Sequence, residues 1–173
     1  MLYPTPIMIR PIVTRTWFAF LAGILLILGD RSISMGADPN EYILTNGMKV
    51  LLIEVPKAPV ATVQVWYKVG SRNEVMGRAG LSHMLEHMMF KGTARYPKGS
   101  FSRIIRKNGG IDNAFTGQDF TAYFENVAAD RVGLALELEA DRMQGLLLDH
   151  GEFQTERDVV KEERRLRSED DPQ

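Results

Sequence analysis

The chain has 173 residues, 21 Lys and Arg against 22 Asp and Glu, and no cysteine. Its apolar share of 45% and charged share of 25% exclude wholesale disorder, and a net charge of −1 offers no basic footprint for nucleic acid. The missing cysteines exclude disulfide frameworks, thiolate zinc sites, iron–sulfur clusters and Cys nucleophiles.

Such a length suits one domain or part of a larger one. Arg10 and Arg15 precede an apolar run, Trp17 to Leu28, that Gly29 and Asp30 end. A spanning helix needs about 20 apolar residues, so the run is short. A positive flank, a short apolar centre and the small-residue segment Ser34-Met35-Gly36-Ala37 read as a secretory signal. Residues 1–37 are thus expected to be a signal peptide, or an N-terminal membrane anchor if uncleaved, and residues 38–173 the folded domain. Export follows from this reading.

Tyr42 to Leu44 and Met48 to Ile53 flank Asn46-Gly47, a strong hairpin signal because both residues tolerate positive φ. From Val60 to Val69, Val63, Val65, Tyr67 and Val69 fall on one face of a third strand, and Gln64, Trp66 and Lys68 on the other. A loop from Gly70 to Gly80 leads to a helix over Leu81 to Phe90, which Leu81, Met84, Leu85, Met88 and Met89 predict to be largely buried. Ser100 to Lys107 predicts a second helix, stopped by Asn108-Gly109-Gly110. Strands are expected over Ile111 to Phe115 and Thr121 to Val127. Asp130 is placed to cap a long helix with Val132, Leu134, Leu136, Leu138 and Met143 as its apolar contacts. A last, heavily charged helix is expected over Phe153 to Arg167. This order predicts an α+β fold, an antiparallel sheet packed against helices.

Two of the three histidines lie in His83-Met84-Leu85-Glu86-His87. On a helix, positions i and i+4 share a face, so both imidazoles can converge on one metal. Neutral imidazole suits Zn²⁺, which lowers the pKa of a bound water towards ~7. Glu86, three residues after His83, is placed to take a proton from that water rather than to ligate. The competing reading is a pair of core histidines bonded to backbone groups. Two histidines leave a catalytic zinc one protein ligand short of the usual three. The charged helix offers Glu152, Glu156, Asp158, Glu162 and Glu163, and spacing alone does not choose among them.

The sequence resembles the inverted-zincin metallopeptidases, the M16 family of pitrilysin, insulinase and mitochondrial processing peptidase. Gly70 to Glu74 with Gly80 to Thr93 is similar to the family's first active-site helix, Gly109-Gly110 with Asn113 to Thr116 to its next strand, and Glu156 to Glu163 to its distal ligand segment. The resemblance covers residues 41 to 173. It implies that Glu163, with 75 residues between it and His87, is the third ligand, with the neighbouring Glu162 as its competitor, and that Glu156 orients a ligand. It also implies one zinc per chain, held by His83, His87 and Glu163, with Glu86 as general base for the water that attacks a peptide carbonyl. Asn113 and Ala114 would pair with extended peptide or protein substrate. His150 takes no role and is expected at a helix end on the surface. The bacterial periplasm is the compartment that the resemblance and the leader together imply.

The family builds its chamber from two related α+β halves. The chain is therefore expected to be the incomplete first lobe of a two-lobe peptidase, working with a second lobe or subunit. A zinc-binding but inactive module acting through partners is the rival reading, and a membrane-anchored interaction domain with structural histidines is another.

Overall fold

The structure, a computed structural model, describes residues 38–169. The expected leader, residues 1–37, lies outside them. Among the described residues no helix is long and apolar enough to cross a membrane.

The chain divides into two units at Val55–Pro56. In the first, β1 (Asn40–Ile43) pairs antiparallel with β2 (Lys49–Leu52), with Asn40 opposite Leu52 and Ile43 opposite Lys49. The connection turns at Gly47, at φ +84°. The Leu44 N–H donates to the Met48 carbonyl at 2.9 Å, and the Met48 N–H to Asn46 Oδ1 at 3.1 Å. The side-chain bond from Asn46 replaces a ladder bond lost in the turn.

The second unit holds β3 (Val60–Tyr67), α1 (Leu81–Met88), α2 (Ser100–Lys107), β4 (Ile111–Thr116), β5 (Thr121–Ala128), α3 (Val132–Gly145) and α4 (His150–Glu169). Its sheet has the antiparallel order β3-β5-β4, so the fold is α+β as expected. The central strand, β5, is the most buried of the three. On one face its Ala122 lies opposite Trp66 of β3 and Phe115 of β4, whose rings meet edge-on at 5.8 Å. Those rings cover Ala122 to 1% exposure. On the other face Val63 and Val127 pack with Phe101 and Ile105 of α2 and Ala135 and Leu138 of α3. Each large side chain buried there contributes on the order of 1.5–3 kcal/mol.

Three expectations need correction. Asp130 caps no helix. It lies in a 3₁₀ turn, Ala129–Arg131, pinned by the Ala129 N–H donating to the Pro59 carbonyl at 3.0 Å, so α3 starts after it. Leu136 and Met143 are 53% and 41% exposed. Residues two apart point about 200° apart around a helix, so Leu136 does not share the face of Leu138. The buried stripe is Ala135, Leu138, Glu139 and Arg142, at helical spacing and half charged. In α1, Met84 and Met88 are buried, but Leu81 and Leu85 lie exposed on the flank.

One contact fixes where α4 begins. Past the end of α1, Gly92 adopts φ +100°, and a Cβ there would lie 2.5 Å from the Lys98 nitrogen. Its carbonyl accepts the Leu147 N–H at 3.0 Å. The chain leaving α3 is thereby tied beside the end of α1, and α4 packs along α1.

Candidate metal centre

The histidine motif sits on α1, and the start of α1 is fixed from outside the helix. Gly80 at the N-cap has no side chain to offer. Glu74 serves instead, accepting the Gly80 N–H at 2.6 Å and the Ser82 N–H at 2.7 Å. Burial pushes this carboxyl up, but the Ser82 and Gly80 amides outweigh it and hold the group below the ordinary carboxylate range. A depressed folded pKa gives stability that is present above the unfolded pKa and fades as pH falls through the folded one. Glu74→Ala should cost about 1 kcal/mol at neutral pH, as loss of a cap does. Its deficit against the wild type should shrink in acid, which denaturant titrations at pH 7 and pH 3 would read. An equal deficit at both would reject the charge-based part of the cap.

His83, Glu86 and His87 share one side of α1. The two imidazole Nε2 atoms lie 3.2 Å apart, with the rings crossed at 84°. From α4, Glu163 Oε2 is 3.4 Å from His83 Nε2, and Glu163 Oε1 is 3.6 Å from His87 Nε2. These three residues form the one group of potential metal ligands found among the described residues. Donors bonded to tetrahedral zinc at 2.0–2.1 Å stand ~3.4 Å from one another. The separations of 3.2, 3.4 and 3.6 Å match that spacing, and two imidazoles with one carboxylate are a donor set that zinc takes in catalytic sites. The residues therefore fit the metal.

The other four acidic candidates of α4 have other partners. Glu162 is exposed and pairs with Arg165 at 2.7 Å, Glu152 pairs with Lys98, and Asp158 pairs with Arg157 and Lys161. Glu156 is 8% exposed, with Oε2 3.1 Å from His87 Nδ1 and Oε1 bonded to Lys91 Nζ. Burial raises its pKa, yet the bonds from Lys91 and His87 hold the carboxyl below the usual range. A carboxylate at Nδ1 takes that nitrogen's proton as a donor bond and leaves the Nε2 lone pair for a metal.

Glu86 stands apart from the ligand cluster. Its Oε2 accepts the Thr116 hydroxyl from β4. Thr116 in turn lies 3.3 Å from Thr121 Oγ1, whose hydroxyl donates to the Val69 carbonyl at 2.9 Å. Asn113 and Ala114 lie on β4, which pairs with β5 along one edge and with no other strand among the described residues. Asn113 Oδ1 accepts the Ala114 N–H at 2.8 Å. His150 opens α4 and is exposed.

Behind α1 lies a buried charged group that the sequence did not single out. Arg142 of α3 binds Glu139 through Nε at 2.9 Å and through Nη2, and reaches Glu125 of β5 at 3.4 Å. Its guanidinium stacks 4.3 Å from the centroids of Phe101 and Tyr123 and 5.2 Å from that of Phe90, just past the motif helix. Desolvation first, then the hydrogen bond to Glu139, pushes the Glu125 carboxyl up to about 9. Two carboxyls sharing one guanidinium keep a proton on one of them. Lys91, Thr116 and Glu74 were also missed as partners. Lys91 had a signal, one turn after His87, whereas Glu74 acts across a loop that no helical spacing describes.

The family model for insulinase (peptidase family M16) matches residues 49–172. The chain is 45% identical over 130 residues to the zinc protease PqqE of Helicobacter pylori, an alignment covering 75% of this chain and 29% of that protein. With the mitochondrial-processing peptidase subunit beta of Lentinula edodes it shares 36% over 120 residues, 69% of this chain and 26% of that one. The crystal structure of a protease from Helicobacter pylori superposes with a TM-score of 0.75 at 43% identity, covering 79% of this chain and 33% of its own. The chain thus spans about three-tenths of the length of the curated relatives it matches.

Proposed function

This chain belongs to the insulinase family of peptidases, peptidase family M16, and from that premise we propose that it carries the zinc site and the general base of a zinc metalloendopeptidase. The observation that supports this most is the meeting of His83 Nε2, His87 Nε2 and a Glu163 carboxylate at zinc-like separations. In this reading the three side chains hold one zinc ion per chain, and Glu156 orients His87 through Nδ1. The bound metal supplies Lewis acidity towards water and a peptide carbonyl. Glu86 accepts the proton of the attacking water and returns it to the leaving amine. Thr116 holds one oxygen of Glu86 and leaves the other to do this. The open edge of β4, at Asn113 and Ala114, pairs with an extended stretch of the peptide or protein substrate and reads its main chain.

We extend the proposal to the rest of the chain. Residues 1–37 serve as a signal peptide or membrane anchor for the domain at 38–173, and the protein works outside the cytoplasm, in a bacterial periplasm. A second lobe or subunit completes the substrate chamber, a reading that fits the chain's share of its relatives' length. The alternative is a zinc-binding module inactive without its partner.

Metal analysis of the purified full chain tests the site. We expect one zinc per chain, retained in Glu162→Ala and lost from His83→Ala, His87→Ala and Glu163→Ala. Zinc kept by Glu163→Ala but lost from Glu162→Ala would move the third ligand. A peptidase assay on the same zinc-loaded chain, with and without a second lobe, separates the enzyme from the inactive fragment.

A further inference from the structure

We infer that Lys91 is a positioning residue of the metal centre: acting through Glu156, it holds His87 in the tautomer that leaves its Nε2 lone pair free for the metal. The inference rests on the zinc-site reading above.

A lysine side chain only 15% exposed is costly unless its charge is paired. Lys91 lies one turn past His87, where the chain still coils, the Lys91 N–H donating to the Met88 carbonyl at 2.9 Å. Its ammonium meets Glu156, whose side chain is only 10% exposed. The two Glu156 oxygens have divided tasks, Oε1 for Lys91 and Oε2 for His87 Nδ1 at 3.1 Å. A carboxylate gripped at one oxygen cannot swing the other away from the imidazole without breaking the ion pair. With Nδ1 fixed as the donor, His87 Nε2 is left as an acceptor, 3.2 Å from His83 Nε2 and 3.6 Å from Glu163.

Charge gives the inference a sign that a purely electrostatic role would reverse. Glu86, Glu156 and Glu163 bring three negative charges to this corner, and a zinc dication with Lys91 neutralises them. If Lys91 acted through its charge alone, removing it would leave the site more negative and tighten the hold on a dication. If it acts by orienting Glu156, removing it weakens that hold, as loss of an outer partner of a metal ligand does, by about 10- to 100-fold.

The experiment measures zinc affinity by chelator competition on the full chain, for wild type, Lys91→Met and Lys91→Arg. It is joined by long-range ¹H–¹⁵N correlation of the His87 ring in the metal-free wild type. We expect zinc binding about 10- to 100-fold weaker in Lys91→Met, largely rescued in Lys91→Arg, and His87 in the Nδ1–H form. Equal or tighter zinc binding by Lys91→Met overturns the inference. So does an Nε2–H tautomer in the wild type, a measurement that stands even where the variant does not fold. A wild type that takes up no zinc overturns the zinc-site reading itself, whereas a wild type that binds zinc beside an unaffected Lys91→Met overturns the role of Lys91 alone.

Discussion

Glu86→Gln should bind zinc as the wild type does and cleave peptides ~10²–10⁴-fold more slowly, the usual contribution of a general base. The amide is nearly the same size as the carboxylate and keeps an oxygen to accept the Thr116 hydroxyl, so α1 and β4 remain joined as they are. What it loses is the ability to take a proton at neutral pH. Glu86 is not part of the group formed by His83, His87 and Glu163, so metal content should not fall with activity. The comparison belongs in the catalytically competent protein, second lobe included if activity requires one, with metal content and kcat/KM read on the same samples. Loss of zinc would make Glu86 a ligand, and undiminished cleavage would remove it from the chemistry.

The other large effect concerns stability. Arg142→Met should destabilise the fold by about 3–5 kcal/mol, the cost of stripping the partner from a buried charge. Arg142, Glu139 and Glu125 are all nearly inaccessible. Without the guanidinium, Glu139 loses two hydrogen bonds and Glu125 one. The same cluster sets a pH dependence. Glu125 holds its proton up to about 9 in the fold, against an ordinary value of roughly 4.3 in the unfolded chain. A raised folded pKa gives stability that is complete below the unfolded value and is lost as pH climbs through the folded one. Glu125→Gln, a fixed mimic of the protonated acid, escapes that loss. Urea titrations at pH 5, 7 and 9 should show it gaining on the wild type at each step. A constant difference between the two proteins would mean that Glu125 is ionised throughout.

Local patterns in the sequence carried the positions of the elements. Asn46-Gly47 placed the first hairpin, alternation from Val63 to Tyr67 placed β3 and its faces, and Ser100 to Lys107 gave α2 its observed bounds. The five-residue histidine motif was equally readable because i and i+4 on a helix must meet. The sequence alone could not choose among five acidic residues of α4. That choice depends on how α4 lies against α1, and so on the tie between Gly92 and Leu147, a contact between distant segments. Resemblance to a family pointed to Glu163 where spacing stopped. The helix α3 and its core contacts through Val132, Leu134 and Leu138 were legible, but Leu136 and Met143 were misplaced for a different reason. Val132, Leu134, Leu136 and Leu138 recur every two residues, a spacing proper to strands, and the real inner face carries Glu139 and Arg142. Hydrophobic patterning does not find a buried face built on a paired Glu and Arg.

Helix α4 is largely polar along its length, and its apolar residues Val159 and Leu166 remain 42% and 52% exposed. Apolar burial therefore gives it little purchase on α1. A zinc ion shared by His83, His87 and Glu163 would act as a cross-link closing a loop of 75 residues. A permanent bond closing such a loop removes ~4 kcal/mol of chain entropy from the unfolded state. A metal cross-link is reversible, and its strength follows mass action, about 1.4 kcal/mol for each tenfold rise in free zinc above the dissociation constant. Zinc supply would then add a variable increment to a docking that the ion pairs of Glu156 with Lys91 and of Glu152 with Lys98 already provide, so that filling the centre and tightening the helix would be linked equilibria.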